Sequence, residues 1–322
     1  MTIKQIFDLA IKMGIEADLR PKKQIEKKLQ RLKDQYEKLS KKEKEFFDKD
    51  RLENPYMDSQ IHFDGGIKNV KKILVGIDID SAELMIAKYL SNHNLKNPID
   101  MVVGHHPVGK GLVFLDDVMH LQADVLSQYG VPINVAESLM KIRIGEVSRG
   151  VNPANHFKTP MAAKNLGMSF INIHTPADNL VADFLKKEIE KKKPEYVEEI
   201  LTLLEEIPEY SEARKQGVGP MLFAGDKNNR AGKIAITEIT GGTEGSPKIY
   251  EKMANAGIGT IIAMHQSEEH KKEAEKAHIN VVIAGHISSD SLGMNLFLDE
   301  LEKRGIEIVS CSGLIRYSRV KK

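Results

Sequence analysis

The sequence has no tryptophan and a single cysteine, Cys311, among its 322 residues. One thiol cannot close an intrachain disulfide, and no Cys-rich zinc site can form, which fits a reducing compartment. An excess of one charge is also missing. Lys and Arg number 47 against 46 Asp and Glu, so whole-chain charge gives no reason to expect a nucleic-acid binder. Apolar runs stay short of the roughly 20 residues that span a bilayer, and no membrane partner is expected. The N-terminus, Met-Thr-Ile-Lys-Gln, opens a charged amphipathic pattern instead of the basic stub and apolar core of a secretory signal, so the expected location is cytoplasmic. What is present is an ordinary globular composition, 41% hydrophobic and 29% charged. It excludes a disordered chain, and the length allows two domains or one domain with a large appendage.

Residues 1–57 read as an N-terminal helical extension, largely separate from the rest of the chain. A first helix is expected over 3–13 with Thr2 as N-cap, and a second from Pro21. In the second, Ile25, Leu29, Leu32, Tyr36 and Leu39 recur at spacings of four and three and form a seam on one face. Between Arg20 and Arg51 thirteen basic residues stand against seven acidic ones, which reads as the solvated face of a helix docked along one stripe or of half a short coiled coil, the alternative being a surface for an acidic partner or nucleic acid. After Asn54-Pro55 short β-rich runs alternate with helical patterns, the texture of strand-helix units in a mainly parallel sheet, so the fold class is α/β. A first half over 58–180 has expected strands at 72–78, 99–103, 131–135 and 169–173 and helices at 81–93 and 115–129. A charged helical bridge over 181–230, broken at Pro194 and Pro208, leads to a second half over 231–322. There strands are expected at 232–237, 260–264, 279–284 and 307–310, and helices at 247–256, 268–277 and 291–303.

Three motifs set metal-type ligands just past the carboxyl end of an expected strand, where open α/β sheets carry their sites. In Gly104-His105-His106-Pro107 the adjacent side chains point to opposite sides of an extended chain. They suit two ions of a close pair better than one, or else form a satisfied polar pair at a strand end. His174-Thr175-Pro176-Ala177-Asp178 is equally a good helix start, with Thr175 as N-cap, Pro176 at N1 and Asp178 at N3. Gly285-His286-Ile287-Ser288-Ser289-Asp290 repeats the order strand, His-x-x-x-Asp, helix, and Ser289 or Asp290 could cap that helix. Imidazole and carboxylate without thiolate suit Zn, Mn, Fe or Ni alike. The Gly-rich loop 239–246 could bring backbone amides to an anion or simply turn tightly; it lacks the Lys-Ser/Thr ending of a phosphate-binding loop. His265 and His270 come after another strand and could line the same cleft as acid-base groups.

As a set, the three motifs resemble the Nif-three-like (NGG-one-interacting factor three) family, some members of which are described as GTP cyclohydrolase I type 2 homologues. The resemblance covers most of the chain after about Tyr56. It implies two similar α/β halves with a metal cleft between them, and a homo-oligomer, commonly a toroidal hexamer. It also implies two divalent metal ions per chain, held by His105, His106, Asp178, His286 and Asp290. Asp290 stands where the family has glutamate, one methylene longer. The N-terminal helices and the long stretch between Pro107 and His174 also differ from compact members. The expected function is metal-dependent hydrolysis of a nucleotide or other phosphorylated small molecule, with His174 or His270 moving protons. The alternative is a non-catalytic metal-binding scaffold, metal chaperone or regulatory protein.

Overall fold

The computed structural model describes residues 1–321. Its first helix, Ile3–Ala17, starts with a capping box: the Thr2 hydroxyl accepts from the Gln5 amide at 3.2 Å, and the Gln5 side chain accepts from the Thr2 amide at 2.9 Å. Ile3, Ile6, Phe7, Ala10 and Ile11 then fall on one face and are buried in the same core as Ile73, Met101 and Ile171 of the first sheet. The helix expected as part of a separate extension is therefore core structure. Its periodic apolar face outweighs the charge around it, since each fully buried Ile or Phe contributes about 1.5–3 kcal/mol. The second helix, Lys22–Glu37, behaves as its seam suggested, with Ile25 buried and Leu29, Leu32 and Tyr36 less so.

Among the described residues nine strands form two sheets. In chain order they are β1 (Gln60–Phe63), β2 (Lys72–Gly76), β3 (Met101–Gly104), β4 (Ser169–Asn172), β5 (Met221–Ala224), β6 (Lys233–Glu238), β7 (Ile258–Ala263), β8 (Asn280–Ile283) and β9 (Glu307–Ser310). The first sheet has the order β1-β4-β3-β2-β9 and the second β5-β8-β7-β6. Each is parallel except for one antiparallel edge strand, β1 or β5. The α/β expectation holds, yet β9, expected in the second half, pairs with β2 of the first sheet, Lys72 opposite Glu307. The region expected to be a strand at 131–135 opens the helix Ile133–Val151. The residues after Val131 bury Ala136, Met140, Ile144 and Val147 at helical spacing, which overrides a short β-branched run. The last helix, His286–Glu302, begins five residues before its expected start. Its buried Ser288, Ser289 and Ser291 look like loop residues in sequence but serve as small packing residues here. Among the described residues no helix is long and apolar enough to cross a membrane.

Two helices between the sheets set the geometry of the site. Ala177 of Thr175–Lys192 and Met294 and Phe297 of His286–Glu302 join the core of the first sheet. Val181, Leu185 and Leu292 of the same helices join that of the second. Gly293 lets the pair approach, because a Cβ there would collide with the Ala177 carbonyl. On the other side Gly14 seats the first helix against the same element; a Cβ would lie 2.7 Å from Pro176 Cα.

Candidate metal centre

All three motifs lie at carboxyl ends of strands: His105 comes directly after β3, His174 just past β4, and His286 begins the helix after β8. The capping alternatives are not realised. The N-cap of Thr175–Lys192 is His174, and Thr175 instead donates its hydroxyl to Asp58 Oδ2 at 2.6 Å. The N-cap of the last helix is Gly285, and Asp290 sits inside it, one turn after His286.

The role of these positions depends on how the imidazoles are pinned. His105 Nδ1 donates to the Ile173 carbonyl at 2.9 Å, His106 Nδ1 to Asp78 Oδ1 at 2.7 Å and His174 Nδ1 to Asp58 Oδ2 at 2.7 Å. A carbonyl or carboxylate only accepts, so in each ring the proton on Nδ1 is committed and Nε2 turns inward. There His105 Nε2 lies 3.4 Å from Asp178 Oδ1 and 3.5 Å from Asp290 Oδ1. His106 Nε2 lies 3.3 Å from Asp290 Oδ2 and 3.3 Å from His286 Nε2, which is itself 3.6 Å from Asp290 Oδ2. His174 Nε2 stands 3.9 Å from Asp178 Oδ2. Five sequence-derived candidates, His105, His106, Asp178, His286 and Asp290, are thus brought together, and His174 joins them.

Four atoms of this cluster are buried without a hydrogen-bond partner among the described residues: His105 Nε2, Asp178 Oδ1 and both oxygens of Asp290. Such atoms cost about 1–3 kcal/mol each unless something satisfies them. Two groups, His105 with His174 and Asp178, and His105 with His106 and Asp290, offer ligand atoms within 4.8 Å of one another and could hold a metal ion. Converging nitrogen lone pairs and carboxylate oxygens are the donor set that a divalent cation fits. Charge within the cluster is strongly graded. Burial, reinforced by Asp290 and Asp58, raises Asp178 well above the usual carboxylate range. Burial would also raise Asp290, but His105, His106 and His286 outweigh it and hold that carboxyl low. Burial lowers His105 and brings His286 to about 4, whereas for His106 the burial effect is outweighed by Asp290 and Asp78, which raise it to about 9.

His270, the other expected proton carrier, lies elsewhere. Its Nδ1 meets Ser267 Oγ at 2.7 Å, at the start of its own helix, and its Nε2 the Gly245 carbonyl of the glycine loop at 3.1 Å, so neither ring nitrogen is offered to the cluster. His265 does reach it, its ring 4.7 Å from that of His286 and its Nδ1 3.3 Å from Glu244 Oε2. The glycine loop, with Gln122 donating to the Gly241 carbonyl at 2.9 Å, forms one wall of a cleft that opens on the cluster. Sequence reasoning missed Asp58 and Asp78 as partners of the histidines. Asp58 stands 116 residues from His174, and no local pattern announces such a pairing.

A scan against protein-family models finds no match, and a search among curated proteins finds none. Among solved structures the chain is similar to a NIF3 superfamily protein from Sphaerobacter thermophilus, 25% identical, with a TM-score of 0.76 over 98% of this chain and 99% of that one. The chain is NIF3-like. The match takes in nearly the full length, so the N-terminal helices and the long stretch between Pro107 and His174 fall within a NIF3-like architecture. Lower similarity extends to reduced HcgD from Methanocaldococcus jannaschii (17% identical, 76% of this chain and 84% of that one, TM-score 0.45). TTHA1606 from Thermus thermophilus is 15% identical over 84% of this chain and 93% of that one, with a TM-score of 0.43.

Proposed function

We propose that this NIF3-like chain holds two divalent metal ions and acts as a metal-dependent hydrolase on a small molecule. The observation that supports it is the inward-facing set of imidazole nitrogens and unpartnered buried carboxylate oxygens, bordering an open cleft. His105, His106, Asp178, His286 and Asp290 would hold the ions, with His174 as a sixth donor through Nε2. Bound there, divalent ions supply Lewis acidity and make water a better nucleophile near neutral pH. The chain's own residues do the rest. Asp58, Asp78 and the Ile173 carbonyl fix each imidazole in one tautomer and orientation. His286, half-exposed at the mouth, leaves the cluster open to a substrate where a closed structural site would shut it off. Proton transfer falls to His265, because His174 is held between Asp58 and the ions and His270 spends its nitrogens on Ser267 and the Gly245 carbonyl. A nucleotide or other phosphorylated substrate would bring its phosphate to the ions, since no lysine or arginine among the described residues lines the cleft. Elemental analysis after reconstitution with Zn or Mn is expected to give close to two ions per chain. A screen of phosphoesters, nucleotides and amides should then show metal-dependent turnover. No bound metal ends the reading, and metal without turnover reduces it to a metal-holding protein.

A further inference from the structure

Three of the sheet edges are blunted, and one is not. Of the four edge strands among the described residues, β1, β5 and β6 each break register with their neighbour, whereas β9 keeps a regular parallel ladder with β2. Such irregularities guard against edge-to-edge pairing, as do prolines and free charges. β9 contains no proline, and its one charged residue, Glu307, is taken by Lys72 at 2.9 Å and by Asn97 at 2.8 Å. The amides of Glu307 and Cys311 point to β2, onto the Lys71 and Val75 carbonyls at 2.7 and 2.8 Å, so by alternation the amides and carbonyls of Ile308 and Ser310 face outward. The helix Ser81–His93 lies over the same margin, with its buried Leu84 and Ala87 in a core against which Val309 and Cys311 pack. Its outer face is apolar as well. Met85, Ile86, Tyr89 and Leu90 are 39 to 61% exposed, and Leu95 just beyond is 81% exposed. A helix that is apolar on opposite faces is one that something covers.

We infer that two copies of this chain join through β9 and the helix Ser81–His93 about a two-fold axis, merging their five-stranded sheets into one of ten strands. This contact goes beyond the proposed hydrolase and stands whether or not the cluster holds metal. The edge selects a second copy because it is complementary to itself. With Val309 on the axis, Ile308 lies opposite Ser310 of the second copy, and an antiparallel pair exchanges both bonds at each such position, so all the outward groups of both edges are satisfied. The two Glu307 side chains, like charges, fall at opposite ends of the pair, about 14 Å apart along the strands. The axis stands perpendicular to the sheet, so both helices stay on one face and bring their apolar sides to the joint. Those side chains expose roughly 300 Å² on each copy, the apolar centre of an interface of about 800 Å² per copy. A strand from another protein would pair with the edge and leave the helix face bare; a second copy covers both.

The test uses the full-length chain in sedimentation velocity over a dilution series and in oxidative cross-linking. Wild type is expected to sediment at an even multiple of 36.1 kDa. Ser310→Pro removes only an outward amide, which the edge of a sheet tolerates, and Tyr89→Lys sets a charge on a helix face that a monomer would leave in water. Each should raise the concentration at which the assembly splits in two by about hundredfold, a tenfold loss counted twice in a two-fold contact. Position is read by Val309→Cys combined with Cys311→Ser. Facing residues of a non-hydrogen-bonded antiparallel pair stand about 4.5 Å apart at Cα, within disulfide reach, so oxidation should link two copies into one band on a non-reducing gel. This arm stands even if Ser310→Pro fails to fold. A monomeric wild type, an odd multiple, a splitting concentration unchanged in Tyr89→Lys, or a missing cross-link overturns the inference, and a monomer returns the edge and the helix face to a different protein.

Discussion

Replacing Asp290 by asparagine exchanges one oxygen for an amide in a side chain whose two oxygens are buried and lie 3.3 to 3.6 Å from three imidazole nitrogens. The volume barely changes and no cap is lost, because Gly285 holds the N-cap position. The change removes a negative charge from the proposed two-ion site, where even substitutions behind the ligands typically cost about 10 to 100-fold in metal affinity. The useful readout is the rise in Tm on adding metal, taken for each protein against its own chelated form, so that any effect of the substitution on the metal-free fold cancels. At a metal concentration of about 100 times the wild-type Kd the stabilisation is about 2.7 kcal/mol, which corresponds to a rise of roughly 5 to 10 °C. A tenfold loss of affinity cuts it to about 1.4 kcal/mol, and a hundredfold loss to about 0.4 kcal/mol, a rise of roughly 1 °C. Differential scanning calorimetry of Asp290→Asn should therefore show most of the metal-induced shift gone, while Asp290→Glu, the acid that the family resemblance places here, keeps it. An unchanged shift in Asp290→Asn would refute the ligand assignment and reduce the five-residue set to four.

The carboxylate behind His174 makes a second case: Asp58→Asn should weaken metal binding by about 10 to 100-fold in a calorimetric titration while circular dichroism stays that of the wild type, and undiminished binding would dismiss its orienting role. Gly293→Ala touches no ligand, yet it must push the two ligand-bearing helices apart at Ala177, so metal affinity is expected to fall by about tenfold or more, in step with about 1–3 kcal/mol of overpacking. Glu238 supplies a pH dependence. An acid whose pKa rises from 4.5 unfolded to about 8 folded costs nothing below 4.5, and its cost grows as pH climbs to 8. Glu238→Gln should accordingly match wild type in urea unfolding at pH 4 to 5 and exceed it by roughly 4 kcal/mol at pH 8.5; a constant gap would show that the carboxyl is not held neutral.

Local signals carried most of the fold into view. The runs that became β2, β3, β4, β6, β7, β8 and β9 are short and apolar, and the ligand motifs sit directly after three of them. Both antiparallel edge strands escaped notice, because Gln60–Phe63 and Met221–Ala224 are brief and only partly buried and acquire their character from a neighbour. The first helix was misjudged for a different reason. Its apolar face was legible, but nothing in the sequence says which surface covers it, and that surface is Thr175–Lys192 together with the first sheet. In the site itself the three motifs were readable at strand ends, and the family resemblance named His105, His106, Asp178, His286 and Asp290 among them. The carboxylates that hold them, Asp58 and Asp78, were not, since hydrogen bonds spanning 116 and 28 residues leave no periodic trace.

The pairing of β9 with β2 bears on how the chain is made. Until Glu307–Ser310 leaves the ribosome, β2 has one edge with open amides and carbonyls beside the apolar Ile73, Leu74 and Val75. A nascent chain waits in that state from the synthesis of Gly76 until that of Glu307, and an unpaired apolar edge is a template for wrong partners. The helix that brings His286 and Asp290 immediately precedes β9, so a single step seals the sheet and completes the His/Asp cluster. Truncation before Glu307 therefore leaves that edge of β2 unpaired beside an otherwise formed sheet.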